Sequence, residues 1–161
     1  MADIIVDGQT RVAYVPTVAN IAAPTTTELN AGTLLSSTLI PAGLEGWENS
    51  TAEVDNTSLA SSFDTKLPGR VSFSGTGLVL KKQDGTDTVF NLLTTPGTNG
   101  YIVIRDGVAN ATAWASADKV EVYPIRTGTH VMLGRGEANS LLRYRVPTTI
   151  TSQPNLKAIV P

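Results

Sequence analysis

His130 is the only histidine in the chain, and acid–base chemistry near neutral pH usually recruits an imidazole. It lies among Gly128, Gly134 and Gly136, and the nearest acidic residue in sequence is Glu137. No carboxylate is placed beside it to fix a tautomer, so an exposed or contact histidine is expected. Glu53, Asp55 and Asp64 could offer oxygens to a hard cation such as calcium, but their spacing lacks the alternation and closing Glu of an EF-hand loop. They read as solvated loop acids. Gly75-Thr76-Gly77 and Gly134-Arg135-Gly136 lack the Lys-Ser/Thr pair or helix start that would cradle a phosphate. The first reads as part of a strand, and bulges or turns explain both. With no cysteine, a thiolate nucleophile, a thiolate metal site and a disulfide framework are all excluded. The residues point to no enzyme, no metal and no cofactor.

The elements that carry these residues follow from composition. A chain of 161 residues is one domain's worth. Hydrophobic residues are 41% and charged residues 16%, against roughly 25% charged in average soluble domains. The sequence has 22 Thr and 11 Ser in place of that charge, and Thr favours sheets over helices. The net charge is −2 and no basic run could neutralise a series of phosphates, so tight binding to the DNA backbone is disfavoured. No stretch reaches the ~18 apolar residues of a membrane span. Met1-Ala2-Asp3 begins without the basic region and apolar core of a signal peptide, so synthesis in a cytoplasm is expected.

Alternation predicts strands at 71–76, with Val71, Phe73 and Gly75 on one face, and at 142–146, with Leu142, Tyr144 and Val146 set against Arg143 and Arg145. A third runs from Lys119 to Ile125, where Pro124 is expected to interrupt the ladder or mark an edge. The apolar run Tyr101–Ile104 reads as a strand covered on both faces. Asp7-Gly8, between Ile4-Ile5-Val6 and Arg11–Val15, signals a hairpin, and 34–40 could add another strand. Thr25-Thr26-Thr27-Glu28 has capping-box spacing, ended within one or two turns by Gly32. The better helix candidate is 87–95, started by Thr86 and closed by Pro96-Gly97. One packed helix in an all-β domain is expected.

Residues 41–70 hold Pro41, Gly43, Gly46, Pro68 and Gly69 and read as neither helix nor strand. A loop of that length is usually functional or held by a partner, which makes 41–70 a candidate arm. Residues 126–140 form a second, shorter loop candidate. Trp47 and Trp114 sit in polar, turn-rich surroundings, where anchoring an interface and packing inside the subunit are equally open.

The order of motifs resembles the major tail proteins that build the tail tube of phages with long, non-contractile tails, especially phages of actinobacteria. The resemblance lies in Ala23-Pro24-Thr25-Thr26-Thr27-Glu28-Leu29-Asn30-Ala31-Gly32-Thr33, in Asp55 through Leu67-Pro68-Gly69-Arg70, and in Tyr101-Ile102-Val103-Ile104-Arg105. It continues through Val120-Glu121-Val122-Tyr123-Pro124-Ile125-Arg126-Thr127-Gly128 and Arg143-Tyr144-Arg145-Val146. It implies a single-domain β-sandwich or barrel subunit over 1–161 with one short flanking helix and long loops. Six copies would form a ring with a continuous inner β-barrel, and rings would stack into a tube that conducts the genome. The implied partners are other copies of the chain, a tape-measure protein inside the tube, and terminator and distal tail proteins at its ends. The implied location is the virion tail, assembled in the host cytoplasm. DNA would pass without tight binding, because an acidic, hydroxyl-rich lumen offers phosphates few strong contacts. Trp47, Asp55, Phe63, Arg70, Arg135, Arg143 and Arg145 are the candidate inter-subunit contacts. Arg143 and Arg145, which share a strand face, are expected at the outer wall or against a neighbour's acids. A head-decoration or head-to-tail joining protein, or a carbohydrate-binding β-sandwich, is the alternative.

Overall fold

The computed structural model describes residues 3–161; Met1 and Ala2, part of the N-terminus read above, lie outside the described residues. The strands are β1 (Thr10–Val15), β2 (Thr33–Leu34), β3 (Leu39–Glu45), β4 (Asn49–Asp55), β5 (Lys66–Phe73), β6 (Gly77–Lys81), β7 (Asn99–Asp106), β8 (Lys119–Thr127), β9 (Val131–Leu133), β10 (Arg143–Ile150) and β11 (Asn155–Ile159). Two short helices, α1 (Thr26–Asn30) and α2 (Thr88–Leu93), complete the fold.

The strands form two layers joined at a corner. In sheet I the order is β2-β1-β7-β8, and β11 pairs the first half of β8 through Lys119, Val120 and Val122. In sheet II the order is β3-β6-β10-β9. Strand β10 belongs to both: Arg143–Pro147 pairs with β6, and Thr148–Ile150 crosses over to the second half of β8. All these pairings are antiparallel.

The period of two along each strand divides the core. Val12, Tyr14, Ile102, Ile104, Tyr123 and Ile125 face inward from sheet I and meet Leu78, Leu80, Tyr144 and Val146 of sheet II. The other face of sheet I sends Ala13, Val15, Val103, Val120 and Val122 against Leu29 of α1, Val18, Trp114 and Val160. Each fully buried Leu or Ile contributes about 1.5–3 kcal/mol by leaving water. Sheet I is therefore covered on both sides, which explains the unbroken apolar run at 101–104.

Both short helices start as their side chains dictate. Thr25 Oγ1 accepts the Glu28 N–H while the Glu28 carboxylate accepts the Thr25 N–H, the reciprocal capping box expected from the sequence. At α2 the cap is Asp87 and not Thr86: its carboxylate accepts from the N–H groups of Phe90 and Gln83 and pairs with Lys82. The carboxylate makes several charge-assisted bonds from one position, which the neighbouring hydroxyl cannot. Two helices thus stand where one was expected.

Other expectations change. The Asp7-Gly8 turn forms, with Gly8 at φ 71 and the Gln9 N–H donating to Val6 C=O, but Ile4–Val6 is not a strand. The 34–40 segment splits into the end of β2, a turn and the start of β3. The strand expected over 71–76 ends at Phe73, and Gly75, at φ 68, sits in a bend instead of a strand. Residues 131–133 of the second loop candidate form β9. Pro124 neither breaks the ladder nor marks an edge. It lies where β8 exchanges β11 for β10 as neighbour, so its missing N–H falls at the changeover, and its C=O accepts from Thr151 N–H.

Candidate assembly surfaces

Where an irregular loop was expected over 41–70, residues 41–45 complete β3 and residues 49–73 form a hairpin. Strands β4 and β5 pair as a separate two-stranded sheet, and they continue β3 and β6 through the short links 46–48 and 74–76. The alternation of buried and exposed residues that identifies a strand is absent, because β4 is exposed at every position. At the tip, Thr65 N–H donates to Thr57 Oγ1 and Asn56 N–H donates to Thr65 C=O, which closes the connecting loop. Lys66 and Glu53 form an exposed ion pair across the strands. Val54, Leu59, Phe63, Leu67 and Val71 are all exposed apolar side chains on this hairpin. A two-stranded ribbon with both faces in water is marginal by itself, and this one carries apolar groups that its own subunit leaves uncovered.

Of the candidate contact residues, Asp55, Phe63 and Arg70 lie on this hairpin and are exposed, and Arg135 is exposed in the turn after β9. The Asp55 carboxyl is held below its usual range by hydrogen bonds from the Thr57 hydroxyl and N–H. Trp47 is placed differently. Its indole N–H donates to Gly77 C=O at 2.9 Å and its ring meets Tyr123 edge-on with centroids 4.9 Å apart. At 8% exposure it belongs to the core under the base of the hairpin. Trp114 is also buried.

Arg143 and Arg145 share the face of sheet II turned away from the core, as their alternation with Tyr144 and Val146 required. Their partners lie within the subunit. Arg145 Nε donates to Glu45 Oε2 at 2.6 Å and its Nη2 donates to Gly75 C=O at 2.9 Å. Arg143 Nη2 donates to Glu137 Oε2 at 3.1 Å.

One cluster was invisible in the sequence. Arg11 and Arg105 are register partners on β1 and β7, and both are buried. Their guanidinium carbons lie 5.0 and 5.1 Å from the centre of the Trp114 ring. Arg105 donates to Asp118 Oδ2 at 2.7 Å and to the carbonyls of Ala109, Thr112 and Ala113, while Arg11 donates to those of Asn110 and Thr112. The two cations thus fold the 107–118 connection around themselves. Burial, followed by the charge of Arg105, lowers the pKa of Arg11. The signal that could have found the cluster was an Arg flanking an apolar run in each of two strands, Arg11 before 12–15 and Arg105 after 101–104.

His130 meets Phe90 edge-on and is half-buried. Among the described residues, no group of three or more His, Asp or Glu side chains is arranged to hold a metal ion. Among the described residues, no helix is long and apolar enough to cross a membrane.

The fold is a sandwich of two joined antiparallel sheets, with a projecting hairpin and with Arg143 and Arg145 tied to acids of their own subunit. The chain belongs to the phage tail tube protein family: the family's model, described as "Phage tail tube protein", matches residues 1–161. It is a structural protein of the virion tail. No curated protein matches the chain. Among solved structures, it is similar to a chain in the cryo-EM structure of the anti-feeding prophage (AFP) baseplate, 6-fold symmetrised. The TM-score is 0.62 at 9% identity, with 96% of each chain covered. At that identity the likeness establishes the fold.

Proposed function

We propose that copies of this chain polymerise as stacked six-membered rings into a tail tube through which genomic DNA passes into the host. The observation that carries the reading is the β4–β5 hairpin, whose apolar side chains are left bare by their own subunit in a chain of the tail tube family. An adjacent ring is the surface that covers them. The sixfold symmetry of the similar baseplate structure supports a ring of six.

The edges of sheet II support lateral closure. Strands β3 and β9 end the sheet, and the alternation through β6 and β10 makes them run in opposite directions. A rotation about the tube axis brings β9 of one copy beside β3 of the next, already antiparallel. An even number of strands per copy lets such a barrel close without a mismatched pair and removes the open edges that would otherwise template aggregation. The tape-measure protein inside the tube, and the terminator and distal tail proteins at its ends, complete the set of partners. Assembly takes place in the host cytoplasm, and DNA is in transit without tight binding.

Negative-stain microscopy of the concentrated protein tests the reading. Long tubes of uniform bore are the expected result. Isolated rings or trimers at all concentrations would favour a head-to-tail joining or decoration protein.

A further inference from the structure

We propose that the open face of sheet II is the wall that faces passing DNA, and that Glu45 and Glu137 keep Arg145 and Arg143 from gripping its phosphates. This rests on the tube reading above.

Among the described residues, the outer face of sheet II is the broad sheet face that neither core cluster covers. Sheet I is buried by sheet II on one side and by α1, Trp114 and the C-terminal segment on the other. The side chains of both helices that enter the two cores lie away from the outer face of sheet II. The hairpin continues β3 and β6 end to end, since β4 and β5 follow and precede them through the links 46–48 and 74–76. The hairpin therefore leaves from the end of the strands that would line the bore, where it can reach the next ring.

The face is not acidic, as a simple picture of a DNA conduit would require. Register places Lys81 opposite Arg143, and Val79, which is buried, opposite Arg145. Two arginines per copy in a lumen would be a trap, because each guanidinium fork matches a phosphate with two parallel hydrogen bonds. Here each guanidinium meets a carboxylate of its own subunit, although the buried Nε of Arg143 has no hydrogen-bond partner among the described residues. Arg145 bonds Glu45 and Gly75 C=O, and it lies so close over Gly77 that a Cβ there would be 2.7 Å from its guanidinium carbon. Arg143 bonds Glu137. These pairs are partly exposed, and such pairs add little to stability. Their consequence is electrostatic: each cation is matched by a carboxylate. Lys81 remains a compact, strongly hydrated point charge, which holds phosphate without the fork's geometry.

Two measurements test this. The chain has no cysteine, so Lys81→Cys and, separately, Val131→Cys each place one thiol on this face. In assembled tubes each should react with a small maleimide that diffuses along the bore but resist a maleimide carrying a long polyethylene glycol chain; disassembled protein should react with both. Reaction with both reagents in tubes would put the face on the outer wall, and reaction with neither would put it in a subunit contact. Either result overturns the proposal. The second measurement is retention of a short fluorescent DNA duplex by pelleted tubes. Glu45→Gln with Glu137→Gln should raise retention at low salt by about tenfold or more, reversed by added salt, as expected when freed cations meet phosphates. Gly77→Ala, which displaces Arg145 by another route, should raise it in the same direction. Unchanged retention in variant tubes overturns the masking role. Failure of the unmodified protein to form tubes is a separate result and overturns the tube reading itself.

Discussion

Gly46 and Gly75 touch across the base of the β4–β5 hairpin: a Cβ on Gly46 would lie 2.6 Å from the carbonyl carbon and oxygen of Gly75. Gly46 also sits at φ 69, where a side chain is strained by about 1–3 kcal/mol. Backbone cannot move aside as a side-chain tip can, so Gly46→Ala should splay the two links that aim the hairpin. The expected outcome is a folded subunit with tube formation reduced at least severalfold, seen by sedimentation and microscopy. A variant that polymerises as well as the parent would remove the base of the hairpin from the assembly mechanism.

Removing the hairpin separates its role from that of the core. Replacing 50–72 by a short Gly-Ser turn keeps Trp47 and should leave thermal unfolding cooperative while abolishing polymerisation. Trp47→Ala should do the reverse kind of damage. It empties the site against Tyr123 and Gly77 and should cost about 3–5 kcal/mol in denaturant unfolding. Loss of cooperative folding in the hairpin deletion would show that β4 and β5 stabilise the subunit itself.

Asp118 is the carboxylate that serves the buried Arg105, with Arg11 beside it. Burial pushes its carboxyl up, but the Ala115 N–H, the Arg105 hydrogen bond and the charges of Arg105 and Arg11 outweigh this, and the pKa is lowered. Asp118→Ala leaves two cations against Trp114 without their acid and should destabilise by about 3–5 kcal/mol. Amide exchange should quicken first in 107–118, the segment whose carbonyls the arginines hold. A loss below about 0.5 kcal/mol would mean that the carbonyl cage alone holds the cations.

The same depression sets the acid limit. Asp87 is lowered too, because hydrogen bonds from Gln83, Phe90 and Lys82 overcome burial, and Glu28 is lowered mainly by the Ala19 and Thr25 N–H groups. A carboxyl whose folded pKa lies below its unfolded one contributes stability that is complete above the unfolded value, about 4. That contribution is lost as pH falls through the folded value. Melting temperature should therefore decline below about pH 4, and Asp118→Asn and Asp87→Asn should each flatten that decline. An unchanged slope in both variants would contradict the assignment.

What the sequence discloses depends on how local the cause is. The Thr25–Glu28 capping box involves neighbours three residues apart and was legible, as was the doubly covered strand at 101–104. The hairpin was not. Asn49–Asp55 has no buried face, so its period-two pattern carries no apolar signal, and glycines and prolines suggested a loop. Arg143 and Arg145 were correctly placed on one face, but Glu45 lies 100 residues from Arg145 in sequence. Only the pairing of β3, β6 and β10 brings that acid within reach. The Arg11–Arg105 pair depended on strand register in the same way.

Tyr144 gives the alkaline counterpart and a sharper separation of packing from hydrogen bonding. Its ring is fully buried against Phe90, while its hydroxyl has no hydrogen-bond partner among the described residues. Burial, with the nearby Asp87 charge, pushes the phenol well above its ordinary value. A raised phenol contributes stability that is complete below the unfolded pKa, about 10, and is lost as pH rises toward the folded value. Tyr144→Phe keeps the ring and removes an oxygen that folding takes out of water without compensation, so stability at neutral pH should stay level or rise by about 1 kcal/mol. The fall in stability above pH ~10 should become shallower. Tyr123, whose hydroxyl donates to Glu121 Oε2 at 2.7 Å, is the contrast. Its replacement by Phe strands that carboxylate and should destabilise by about 1–2 kcal/mol. Equal losses in the two variants, measured by urea unfolding at neutral pH, would mean that the Tyr144 hydroxyl is satisfied in solution.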